Sequence, residues 1–165
     1  MSILNKLLPT QASNDYHGSP IALYIFVLLA ALMLFRSLIH FLKEDSGVNS
    51  IATIILFNDA PDPNQVIYMF SSLWGSQQLI MVFIYAIVLL RYRNLIPLMY
   101  ALFIVEVLFR LTVGMLHPLT PEYYAQTPPG KLGNIPILVL TSVMLFLSLR
   151  TRPHAKEATD TASTT

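Results

Sequence analysis

Glu106 and Arg110 stand one helical turn apart in a run that is otherwise almost wholly apolar from Leu95 to Leu116. A carboxylate and a guanidinium at that spacing meet on one face of a helix. At bilayer depth an ionised group costs roughly 2.5–3.5 kcal/mol on insertion scales, so it needs a partner or a purpose. Three chemistries are open to the pair. The carboxylate can relay protons, the guanidinium fork can grip a carboxylate or phosphate, or the two can form a structural ion pair that lets Arg110 snorkel outward.

Other apolar runs carry polar stripes at helical spacing. Arg36, His40 and Lys43 form one, Ser71, Gly75 and Gln78 a second, and Asn134, Thr141 and Ser148 a third; Gly114 and His117 continue the Glu106–Arg110 stripe. Lipid rejects such faces, so they are expected to point at one another. With a rise of about 1.5 Å per residue, Gln78 and Glu106 fall at mid-span and Arg36 and Arg110 about 7 Å outward. His40 and His117 lie further out. The expectation is a polar cleft opening outward, with Gln78 and Glu106 at its floor, the arginines in its wall and the histidines at its rim. Two arginines facing one glutamate leave a surplus cation that must be neutralised. Asp59 or Asp62, a phospholipid headgroup or an anionic ligand are the candidates.

Each residue also has a plainer reading. Arg36 snorkels from the outer third of its helix. Gln77 and Gln78 hydrogen-bond between helices. His40 and His117 are interfacial residues rather than ligands of a metal or haem, and no cofactor is assigned. Tyr68, Trp74, Tyr92, Tyr123 and Tyr124 suit an aromatic belt or loop roles, and the methionines fill the core.

The elements that must position these residues are four membrane spans, at about 21–42, 66–90, 95–116 and 133–149. The 165 residues are 55% hydrophobic and 12% charged, about half the charged fraction of a soluble domain. The fold class is an all-α membrane protein, a four-transmembrane-helix bundle in one domain (residues 1–150), with a polar tail over 151–165 that reads as disordered. The first span exceeds the 7–15-residue apolar core of a signal peptide and reads as a retained helix. Lys6, Arg91, Arg93, Arg150, Arg152 and Lys156 fall on one side, against Lys43 and Lys131 among acidic residues on the other. The excess puts both termini in the cytoplasm. The run Ile51–Phe57 is too short to span and reads as an interfacial or lid-like segment. Residues 117–134, rich in proline, read as a shaped loop. A net charge of +1 points away from nucleic acid, and the absence of cysteine removes thiolate chemistry.

The strings Leu73-Trp-Gly-Ser-Gln-Gln-Leu79, Leu90-Arg-Tyr-Arg-Asn-Leu-Ile-Pro-Leu-Met-Tyr100 and Thr127-Pro-Pro-Gly-Lys-Leu-Gly-Asn134 resemble a group of bacterial four-span membrane proteins to which no reaction is assigned. More distantly the layout is similar to the DoxX-like families. The resemblance covers roughly residues 65–150 and implies four spans in a bacterial cytoplasmic membrane, without naming a catalytic residue. The leading functional expectation is binding of a small amphipathic or anionic molecule, or of membrane lipid, in the outward cleft. Its residues are Glu106, Arg110, Arg36, Gln78, His40 and His117. The alternative is an accessory subunit of a larger membrane complex, with a partner membrane subunit on its lipid-facing surface. An enzyme or proton-coupled transporter ranks third, because the sequence holds no paired carboxylates, no recognisable nucleophile–base pair and no phosphate loop.

Overall fold

In the computed structural model, which describes residues 2–150, each long apolar run is one continuous helix. The tail after Arg150, including Arg152 and Lys156, lies outside the described residues. A short helix, α1 (Ile3–Leu7), precedes the four long ones, α2 (Pro20–Leu42), α3 (Asn64–Arg91), α4 (Ile96–Leu116) and α5 (Pro129–Leu149). All four are long and apolar enough to cross a membrane, the build of a multi-pass helical membrane protein. Among the described residues there is no β-strand, only one isolated bridge.

Proline places three of the helix starts. Pro20, Pro97 and Pro129 each occupy the first turn of a long helix, where the missing N–H has no intrahelical acceptor to lose and φ is already set. For α5 this moves the start four residues upstream of the expected Gly133. Pro129 and Gly130, expected in the loop, belong to the helix, and Pro136 lies inside it.

The helices associate as two antiparallel pairs. α2 runs along α3 and α4 along α5, and the pairs meet chiefly where α2 touches α5. Aromatic side chains fill the centre. Phe26 of α2 meets Tyr85 of α3 edge-on at 5.3 Å and Tyr100 of α4 at 5.5 Å, and Phe103 stacks 6.4 Å from Tyr85. Tyr100 is fully buried and donates its hydroxyl to the Ala22 carbonyl at 2.6 Å, which satisfies a phenol that would otherwise be costly to bury.

Packing is uneven along the bundle axis. α2 and α3 bury residues over their whole lengths, from Ala22 to His40 and from Asn64 to Val88. In α4 the last buried residue is Val107, and in α5 the first is Thr141. The pairs are therefore tightly joined at the end that holds the α3–α4 turn, and α4 and α5 lose buried contacts toward the other end. Large apolar side chains such as Phe35, Phe83 and Phe109 remain exposed around the bundle, as a lipid-facing surface requires.

The two loops at the looser end are stitched together. Ile54 pairs with Tyr124 in the isolated bridge. The Ile55 amide donates to the Tyr123 carbonyl at 3.1 Å, the Ala125 amide to the Thr53 carbonyl at 2.8 Å, and Thr53 Oγ1 to the Gln126 carbonyl at 2.5 Å. The run 51–57 is thus an extended segment paired to the second loop. Thr53 takes a φ of +56° to enter this pairing, an uncommon conformation for a β-branched residue.

Candidate functional site

The stripes of α2 and α3 meet face to face, and Glu106 and Arg110 of α4 lie within electrostatic reach of Arg36; the α5 stripe does not join them, Thr141 and Ser148 bonding to carbonyls of their own helix. On α3, Ser71, Gly75 and Gln78 all turn toward α2. Gly75 lets the helices touch, because a Cβ there would lie 2.8 Å from His40 Cβ and from the Phe41 backbone nitrogen. That close approach is what small residues provide between membrane helices.

His40 is buried at this contact. Its Nδ1 donates to the Ser46 carbonyl at 2.7 Å, and Ser71 Oγ donates to the same carbonyl at 3.1 Å. A carbonyl only accepts, so the shared bond assigns the proton to Nδ1. Ser46 is itself buried, with φ +48°, and its hydroxyl meets Ser72 Oγ at 2.6 Å and donates to the Tyr68 carbonyl at 3.0 Å. The turn after α2 is in this way tied down onto α3. Asp45 braces the same turn by accepting from the amides of Gly47 at 3.1 Å and Ser50 at 2.8 Å. Burial alone would raise its carboxyl, but the bonds from Ser50 and Gly47, with Lys43 3.7 Å away, outweigh burial and hold it at about 2.

One turn deeper lies Arg36. Its guanidinium sits 4.7 Å above the ring of Trp74, and Trp74 also packs 4.8 Å from the His40 ring. On α4, Arg110 Nη2 donates to Glu106 Oε2 at 3.0 Å. Arg36 is within electrostatic reach of both Glu106 and Arg110, and Tyr85 lies close enough to sense both charges. Among the described residues the ion pairs are Glu106–Arg110 and Lys43–Asp45, so Arg36 has a cation–π partner and no carboxylate of its own. Asp62 accepts from the amide and side chain of Asn64 at the start of α3, and Asp59 is exposed. Neither neutralises the arginines.

The hydrogen-bond balance points the same way. Gln78 is 5% exposed; its Oε1 lies 3.5 Å from Ser37 Oγ, while its Nε2 has no acceptor among the described residues. Arg110 Nε is likewise buried without an acceptor. Buried donors left open are rare because each costs about 1–3 kcal/mol. The Glu106 side chain is 34% exposed and that of Arg110 17%, so the pair reaches the bundle surface. It also stands where the buried contacts of α4 end.

Of the six expected site residues, Arg36, His40 and Gln78 lie at the α2–α3 contact, and Glu106 and Arg110 are within electrostatic reach of Arg36. His117 does not take part, being exposed at the end of α4. Among the described residues no three His, Asp or Glu side chains are grouped to hold a metal ion. Trp74 is the residue that sequence reasoning missed, by assigning it to an aromatic belt. Its place three residues after Ser71 and four before Gln78 on one helix was the available signal.

A formed pocket lies elsewhere, at the opposite end of the bundle. Residues 8–19 cross that end as a strap. Asn94 Nδ2 donates to the Gln11 carbonyl at 2.8 Å, the Ser13 amide to Asn94 Oδ1 at 2.9 Å, and the Asn94 amide to the Ser13 carbonyl at 3.2 Å. Tyr16 donates its hydroxyl to the Ser19 carbonyl at 3.1 Å, and burial pushes its phenol up.

In comparisons with protein-family models, curated proteins and solved structures, the chain matched none of them.

Proposed function

We propose that this chain is a membrane-embedded binding protein that holds an amphipathic molecule with an anionic or strongly accepting head in the groove between α2, α3 and α4. The observation that carries this reading is the pair of buried donors without acceptors, Gln78 Nε2 and Arg110 Nε. Arg110 is one of two guanidiniums set against a single carboxylate, and Gln78 meets Ser37, the chain neighbour of Arg36. An acceptor-bearing head completes the hydrogen bonds and offsets the surplus charge in one step. Arg110 supplies a directional donor, Arg36 a charge held in place by Trp74, and Glu106 orients Arg110. The exposure of Glu106 and the early end of the buried face of α4 support entry from the outer half of the bundle. The basic excess at the other end supports an orientation with both termini in the cytoplasm, and the resemblance to bacterial four-span proteins supports a bacterial cytoplasmic membrane.

A second reading is an accessory subunit. Asn134 Oδ1 of α5 is buried without a donor among the described residues, and the outer halves of α4 and α5 bury little. A partner helix donating to Asn134 would use this surface.

Native mass spectrometry of protein extracted gently from its own membrane separates the two. The expected result is a discrete added mass that disappears in Arg110→Ala and in Gln78→Leu. A bare chain within a larger assembly supports the accessory subunit, and a bare monomer removes the binding reading.

A further inference from the structure

The pocket beneath the strap has a volume of about 380 Å³ and is walled by α1, the strap, the first turn of α4 and the end of α5. It belongs to a different part of the molecule from the Arg36–Glu106–Arg110 groove. Lys6, Arg150, His17, Asp15 and the Tyr16 phenol are its ionisable lining. Lys6 and Arg150 outnumber the one carboxylate. Lys6 Nζ donates to the Leu149 carbonyl at 2.8 Å, and Arg150 stacks 4.4 Å over Phe146. Both cations are thereby fixed at the C-terminal end of α5, where free carbonyls favour positive charge. Arg91, exposed at the end of α3, and Arg93, exposed in the turn beside Asn94, extend the basic surface without lining the pocket.

The depth of this pocket is fixed by the helices around it. Pro97 and Leu149 line it, so it lies where the apolar helices end, at the boundary between hydrocarbon and headgroups. α1 argues for the same level. It has five residues, yet Ile3 and Leu4 are 70% and 62% exposed, and Leu8 beside it is 52% exposed. Apolar side chains bared next to the helix ends belong in the edge of the hydrocarbon layer, with Lys6 on the polar side. The walls are fixed, too. Asn94 clamps the strap by three hydrogen bonds, and the strap docks closely at Gly18, where a Cβ would meet the Ser148 carbonyl and the Tyr16 ring.

We propose that this pocket binds the phosphate-bearing headgroup of an anionic phospholipid, with Lys6 and Arg150 facing the phosphate and the acyl chains lying in the bilayer beside Ile3, Leu4 and Leu8. A preformed basic pocket at the edge of transmembrane helices suits such a headgroup. A zwitterionic lipid brings its own cation and gains less there. A soluble phosphate compound shares the head chemistry but leaves the apolar rim unused.

The test is retention of lipid on the full chain, exchanged from mixed micelles of phosphatidylglycerol and phosphatidylcholine and read by native mass spectrometry. Phosphatidylglycerol is expected to be retained in preference. In Lys6→Gln/Arg150→Gln that preference should fall about tenfold or more, with the glutamine still able to donate to the Leu149 carbonyl. Thr10→Trp, which fills the pocket and keeps every charge, should cause a similar loss. Arg91→Gln/Arg93→Gln should change little. Equal retention of the two lipids overturns the proposal. So does unchanged retention in Thr10→Trp, or an equal loss in the Arg91/Arg93 variant, which would mark a diffuse basic surface. Displacement by millimolar glycerol phosphate assigns the pocket to a soluble phosphate compound instead. Retention that survives Arg110→Ala and Gln78→Leu separates this lipid from the occupant of the mid-membrane groove.

Discussion

Replacing Gly75 with alanine tests the contact on which the groove is built. The added Cβ would stand 2.8 Å from His40 Cβ, 2.8 Å from the Phe41 nitrogen and 2.9 Å from the His40 carbonyl carbon. Two of those three atoms are backbone and cannot swing aside. Reaching an ordinary contact of 3.4 Å from 2.8 Å requires α2 and α3 to part by about 0.6 Å. Overpacking of this kind costs about 1–3 kcal/mol. The parting also stretches the bond from Ser72 Oγ to the His40 carbonyl, already 3.2 Å long, at a further cost of about 1 kcal/mol. Alanine returns up to about 1 kcal/mol through its better helix propensity. The balance is a net loss of about 2 kcal/mol. It can be measured by reversible unfolding in mixed micelles titrated with sodium dodecyl sulfate, followed by far-ultraviolet circular dichroism. Gly114→Ala is the matched control, since a Cβ there meets nothing within 4 Å; it should be neutral or slightly stabilising. If Gly75→Ala unfolds at or above the parent midpoint, α2 and α3 do not touch as described, and the placing of Arg36 and Gln78 at that contact loses its foundation.

Three further outcomes are expected. Glu106→Gln leaves two guanidiniums without a carboxylate and should lower stability by about 1–3 kcal/mol in the same titration; a change within about 0.5 kcal/mol, the size of a neutral surface substitution, would contradict the pairing. Tyr100→Phe deletes the bond to the Ala22 carbonyl and leaves the ring in place, so the loss should be near 1 kcal/mol, read as a lower melting temperature in detergent. The carboxyl of Asp45 sits at about 2, below its ordinary 3.8, so ionised Asp45 stabilises its turn above about pH 4 and that support fades as pH falls toward 2. Amide exchange at Gly47 and Ser50, measured relative to α3, should quicken over that interval in the parent and show no such step in Asp45→Asn.

The spans were readable because a bilayer demands about 20 apolar residues in a row, and few other signals mimic that. The Glu106–Arg110 pair was equally plain, being set by helical spacing alone. The start of α5 was misplaced because Pro128, Pro129 and Gly130 look like loop chemistry. Only the helix itself reveals Pro129 as a first-turn residue. Pairing between the loops was beyond reach. Thr53 and Ala125 lie far apart in the chain, and no local pattern brings them together. The part played by His40 was half visible. Its depth followed from the stripe with Arg36, but its anchoring to Ser46 depends on a left-handed residue in a turn, which serine does not announce.

Trp74 is the single tryptophan of the chain, and it touches both Arg36 and His40. The protein thus carries its own optical probe at the groove, free of background from any other indole. A cation resting on the ring shapes its excited state, so any occupant that draws Arg36 away, or any parting of α2 from α3, is written directly into the wavelength and lifetime of the emission. No label needs to be introduced to watch this site in a lipid bilayer.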